Sequence, residues 1–122
     1  MFEQLSNQNL SIGEILLWLK QNQIEHFEEL IFPPSLTELK NSFYATAPYN
    51  LLREKEFEQL LNQFQLVART IDGDYLLAND KQVLLFPRSH QPEDFLYFFD
   101  TFSNLLIKYE NSIQSISELF EK

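Results

Sequence analysis

Between Phe64 and Pro87 short apolar runs are separated by polar turn residues, FQLVARTIDGDYLLANDKQVLLFP, and this pattern predicts three consecutive antiparallel strands. Asp72-Gly73 divides the first strand from the second, because glycine accepts the positive φ that a tight hairpin turn requires. Asn79-Asp80-Lys81 divides the second from the third. Val67, Ala68, Tyr75 to Ala78 and Val83 to Phe86 leave few polar positions. Such strands belong to a sheet covered on one face and partly shielded on the other.

The flanking segments change period. Met1 to Leu10 is polar and weakly patterned, so its order depends on Phe2 and Leu5 finding a surface. Ser11 with Glu14 forms a capping box, and Ile12, Ile15, Leu16 and Leu19 then share one helical face, with a break expected near Asn22. Ile24, Phe27, Leu30 and Ile31 also recur at helical spacing, predicting a short second helix with Glu25, Glu28 and Glu29 on its other face. Pro33-Pro34 ends it. Ser35 with Glu38 caps a third helix that turns Leu36, Leu39 and Phe43 inward. After a loop from Ala45 to Tyr49, Asn50 is the expected cap of a fourth helix carrying Phe57, Leu60, Leu61 and Phe64. The aromatic run Phe95 to Phe99 favours a fourth strand over a helical turn. A last helix, capped by Asp100 or Thr101, is predicted over 101–120, with Phe102, Leu105, Leu106, Tyr109, Ile113, Ile116 and Phe120 inward and Asn111 as the place where it would break.

The predicted architecture is α+β, an antiparallel sheet of three to four or more strands flanked by N-terminal helices and a C-terminal helix. At 122 residues, with no Gly- or Ser-rich linker, the chain reads as one domain over 1–122. No apolar run approaches the ~20 residues of a membrane-spanning helix. Absence of cysteine and of a secretory signal pattern leads to the expectation of a soluble, cytoplasmic protein.

Charge narrows the function classes. Eighteen acidic residues against nine basic ones give a formal net charge of -9, and the cations are scattered singly. A nucleic-acid partner is disfavoured, since a phosphate backbone is bound by clustered Lys and Arg. The same field raises the encounter rate with a basic protein, although acidity also serves solubility alone.

Candidate chemistry is sparse. With only Gly13 and Gly73, neither a phosphate-cradling loop nor a dinucleotide fingerprint can be built, and no cofactor is expected. His26 among Glu25, Glu28 and Glu29 is the one metal-like grouping, and carboxylates so arranged are more often a solvated helix face. Asp72-Gly73-Asp74 is explained by a turn, since the glutamate that closes a twelve-residue calcium loop would fall at Val83. Ser89 and His90 are adjacent, and adjacent side chains point apart. No catalytic or metal-ligating residue is therefore assigned. Among the aromatics of 95–102, Tyr97 is the candidate for a surface contact, because its hydroxyl suits a half-wet position.

The order of these segments carries a resemblance. Leu66 to Glu110, with Gly73-Asp74-Tyr75, then Pro87-Arg88-Ser89, then the helix Phe102 to Tyr109, resembles the SUKH superfamily of cell-wall-regulator-like and toxin-immunity proteins. Phe32-Pro33-Pro34-Ser35-Leu36 is similar to the Leu-Pro before an early helix of that family. Tyr44-Ala-Thr-Ala-Pro48 departs from it where many members carry an Asn-Gly or Gly-Gly turn. The resemblance implies the same α+β fold and binding without catalysis, most often neutralising a toxin domain, frequently a nuclease. The alternatives it leaves are a regulatory scaffold of the same fold and, remotely, a small enzyme. An acidic inhibitor fits a basic nuclease site, which directs attention to the acids Glu25, Glu28, Glu29, Glu54, Glu58, Glu93 and Asp94. A strand edge or the aromatic segment would also permit a homodimer.

Overall fold

The structure, a computed structural model, describes residues 1–6 and 8–122. Its centre is a six-stranded antiparallel sheet in which every strand lies beside its sequence neighbours: β1 (His26–Phe27), β2 (Leu30–Ile31), β3 (Gln65–Thr70), β4 (Tyr75–Ala78), β5 (Val83–Phe86) and β6 (Leu96–Phe98). The three strands expected between 64 and 87 are the middle of this sheet, and the aromatic run supplies β6. Gly73 turns between β3 and β4 at φ 93°, where a side chain would be strained. The second turn is closed by Asn79 Oδ1, which accepts from the backbone N–H of Lys81 and Gln82.

Four helices cover the sheet: α1 (Ile12–Gln21), α2 (Leu36–Ala45), α3 (Glu54–Gln63) and α4 (Phe102–Glu110). They divide between two faces. Leu76, Ala78, Val83 and Leu85 point to one side and pack with α1, α4 and the N-terminal turn of Phe2 and Leu5. Tyr75, Leu77, Leu84 and Phe86 point to the other and pack with α2, α3 and Phe95. The central strands β4 and β5 are thus buried on both faces, more fully than their composition suggests. A register shift between Leu66 and Ala68 lets consecutive residues Val67 and Ala68 enter the same core. Phe2 and Leu5 are buried, each contributing about 1.5–3 kcal/mol, which docks the otherwise polar N-terminal segment.

The capping expectations hold at α1, where Ser11 and Glu14 exchange side-chain-to-backbone bonds, and at α4, where Thr101 Oγ1 accepts from Asn104 N–H. At α2 only half of the box forms: Ser35 Oγ accepts from Glu38 N–H, while the Glu38 carboxylate reaches Arg69 at 3.5 Å.

Several expectations fail. The short helix over 24–31 is instead the hairpin β1–β2, paired His26 with Ile31 and Phe27 with Leu30. Glu28 has φ 52°, incompatible with a helix, and β2 fills the edge of β3 through Leu30–Thr70 and Ile31–Arg69. Eight residues cannot hold a helix on their own, whereas edge pairing satisfies their backbone groups. Glu25, Glu28 and Glu29 therefore share no helix face. Leu36 is exposed rather than inward. Asn50 does not cap the fourth helix. The N-cap of α3 is Arg53, whose N–H donates to Glu56, and Asn50 Nδ2 donates instead to the Phe43 carbonyl. The last helix does break where expected, stopping at Glu110 with Asn111 as its cap, but it does not resume as α-helix to 120, and Ile113 lies fully in solvent rather than inward while Ile116, Leu119 and Phe120 return to the core.

Candidate functional site

The predicted contact residues separate into different regions of the surface. Glu25 and Glu28 are exposed on the β1–β2 hairpin. Glu29, two residues from β2's end, is half-buried: its Oε2 accepts from the Tyr109 hydroxyl at 2.8 Å and from the Ile116 N–H at 2.7 Å. Burial and the Glu29 carboxylate push the Tyr109 phenol up to about 12. Tyr97 is half-buried on β6, its ring stacked on exposed Phe99 at 5.9 Å, and its backbone N–H and carbonyl are both paired with Glu121. Glu93 and Asp94 stand in the short turn Pro92–Asp94 before β6, and Glu54 and Glu58 stand on α3.

Two residues in one loop between α2 and α3, neither marked by periodicity, leave large side chains exposed. After α2 ends at Ala45, Ala47–Tyr49 makes a single tight turn, Tyr49 N–H donating to the Thr46 carbonyl. The turn leaves Tyr49 84% and Leu51 72% exposed, while the next residue, Leu52, is buried at 6%. This divergence is fixed by polar bonds: Asn50 Nδ2 holds the Phe43 carbonyl at 3.2 Å, and Leu51 N–H donates to Gln91 Oε1 at 3.1 Å. The Gln91 contact ties the loop to the turn that carries Glu93 and Asp94.

An aromatic cluster joins the two helices that flank this loop. Phe43 of α2 and Phe57 of α3 stack in parallel with ring centres 4.0 Å apart, and Tyr44 stands nearly perpendicular to both, at 5.5 and 5.9 Å. Over a third of Tyr44 remains in solvent, and its hydroxyl lies 3.4 Å from Glu58 Oε1. Partial desolvation raises the Tyr44 phenol above its ordinary value, with the charges of Glu58 and Glu54 adding to the effect. Both carboxylates therefore act on the Tyr44 rim. The signal available in the sequence was indirect: Tyr49 and Leu51 are large apolar residues in a proline-containing loop that belongs to no amphipathic face.

His90 clasps this region from inside. It is buried at φ 60°, with Nε2 3.0 Å from Ser42 Oγ and Nδ1 2.8 Å from Thr46 Oγ1. Burial lowers its pKa and so favours the neutral ring, in which one nitrogen donates and the other accepts, and each finds a hydroxyl that can do either. Ser89 turns away, donating to Asp94 at 2.7 Å, in keeping with adjacent side chains pointing apart. A serine beside a neutral imidazole is the start of a nucleophile, but Ser42 sits in the last turns of α2, the end that presents carbonyls and offers no N–H donors for an oxyanion. The trio ties α2 to the segment after β5. Among the described residues, no group of three or more His, Asp or Glu side chains is placed to hold a metal ion, and no helix is long and apolar enough to cross a membrane.

Compared with protein-family models, characterised proteins and solved structures, the chain has no match.

Proposed function

We propose that this chain is a non-catalytic protein-binding domain of the immunity type, acting in the cytoplasm by covering a basic toxin domain, of nuclease character. The observation that carries the reading is the Tyr49–Leu51 loop: two large side chains held outward between α2 and α3, followed by the exposed acids Glu54 and Glu58 on α3, on a chain of net charge -9. A preordered loop loses little entropy when a partner docks, and exposed tyrosine supplies contact area with few rotatable bonds. Surrounding carboxylates steer a basic partner and exclude an acidic one. A nuclease domain carries such a basic surface because its substrate is a polyanion.

The test is paired capture from the source cells and their medium, with the wild-type chain and a Tyr49→Ala/Leu51→Ala variant as baits, eluted in salt steps. The expected result is one basic protein held by the wild type and lost by the variant. Its expression should be toxic alone and harmless with the wild-type chain. Several weakly held host proteins, or a toxicity the chain does not relieve, would replace this reading with that of a regulatory scaffold.

A further inference from the structure

We infer that the rim formed by Tyr44, Glu54 and Glu58 receives an arginine side chain of the protein partner; the inference rests on the proposed function and specifies the chemical group recognised. Three observations converge. Tyr44 offers a partly exposed ring that packs nearly perpendicular to the Phe43–Phe57 stack. Beside its hydroxyl, at 3.4 Å, stands the Glu58 carboxylate, one helical turn from Glu54 on the exposed side of α3. Among the described residues neither of those two acids is in an ion pair, whereas the neighbouring Glu56 is already bound to Arg53 at 3.2 Å. A partly exposed ring next to a carboxylate that holds only the ring's own hydroxyl matches a guanidinium, which stacks on an aromatic ring while donating in its own plane to a carboxylate. An ammonium can satisfy the carboxylate but gains little from the ring's planarity.

Two capped pentapeptides of equal charge, Gly-Arg-Gly-Arg-Gly and Gly-Lys-Gly-Lys-Gly, provide the test, titrated into isotopically labelled full-length chain at physiological salt and followed by backbone amide NMR shifts. The arginine peptide is expected to bind about three-fold or more tightly than the lysine peptide, with the largest shifts within 44–58. Tyr44→Leu and Glu58→Gln should each abolish that preference, and Tyr44→Phe, which retains the ring, should preserve it. The conservative variant also guards against misfolding, since it keeps the packing on Phe43 and Phe57. Equal affinities for the two peptides, shifts centred on Glu25 and Glu28, or a preference that survives Tyr44→Leu would each overturn the assignment. If equal-charge peptides displace a captured basic partner equally, the assignment to arginine fails while the proposed function stands. A Tyr44-dependent arginine preference in a chain that neutralises nothing supports the assignment and removes the proposed function.

Discussion

Glu29 and Tyr109, 80 positions apart in sequence, are bound to each other twice: the Glu29 N–H donates to the Tyr109 hydroxyl at 3.1 Å, and that hydroxyl donates back to Glu29 Oε2 at 2.8 Å. The same carboxylate oxygen receives the Ile116 N–H. One side chain thus joins the β1–β2 hairpin, α4 and the segment that follows it. Tyr109→Phe leaves a half-buried carboxylate and an N–H without this partner, and it should destabilise the fold by about 1–3 kcal/mol in urea titration. Because the phenol is raised in the folded state from 10.0 to about 12, its contribution is complete below pH 10 and declines as pH climbs toward 12. Absorbance titration should show one tyrosine ionising last; ionisation of all five in a single step near pH 10 would contradict the pairing.

His90 makes stability depend on pH at the other end of the scale. Its folded pKa lies below the ordinary 6.5, so the unfolded chain binds the extra proton first. Stability is full above about pH 6.5 and falls as the solution is acidified below it. Melting temperatures measured from pH 7.5 to 5.5 should therefore decline, and His90→Asn should flatten the slope over that interval. Asparagine suits the test because it tolerates the left-handed backbone at this position.

Gly73 faces open space, with no atom within 4 Å of where a Cβ would stand, yet its φ is 93°. Gly73→Ala should cost about 1 kcal/mol through backbone strain alone, and Gly73→Asn less, because asparagine enters positive φ more readily. Equal stabilities of all three in chemical denaturation would show that the turn relaxes to another type.

The outer edge of β6 is closed by Glu121, whose N–H and carbonyl pair with Tyr97 at 2.8 and 2.6 Å. Truncating the chain after Phe120 removes both bonds, including the carbonyl that accepts from the Tyr97 N–H. Hydrogen exchange at the Tyr97 amide should quicken by about five-fold or more, and size-exclusion profiles should shift toward self-association as the edge opens. An unchanged Tyr97 amide would show that the tail contact contributes nothing to closing the sheet.

Sequence pattern and tertiary structure agree or part according to the range of the interactions involved. Ser11, Thr101, Gly73 and the runs from Gln65 to Phe86 were legible because each depends on residues within a few positions: a cap and its N–H groups, a turn and its φ, a strand bounded by its own breakers. Residues 24–31 were not, because apolar spacing of three and four suits a short helix and a short hairpin alike, and what decided between them was the open edge of β3, some 40 positions away. Ile113 kept the helical period of 101–120 and was still released to solvent, since the chain turns at Asn111 to bring Ile116 and Phe120 back to the core and Ile116 N–H to Glu29. The surface follows the same division. Acidity and the lack of catalytic spacing were present in the residues themselves, as local and additive properties. Which acids stand beside exposed aromatics was decided only when Asn50 and Gln91 bound the loop and the Phe43–Phe57 stack set Tyr44 next to Glu58, for these contacts join separate elements and exist only once those elements have packed.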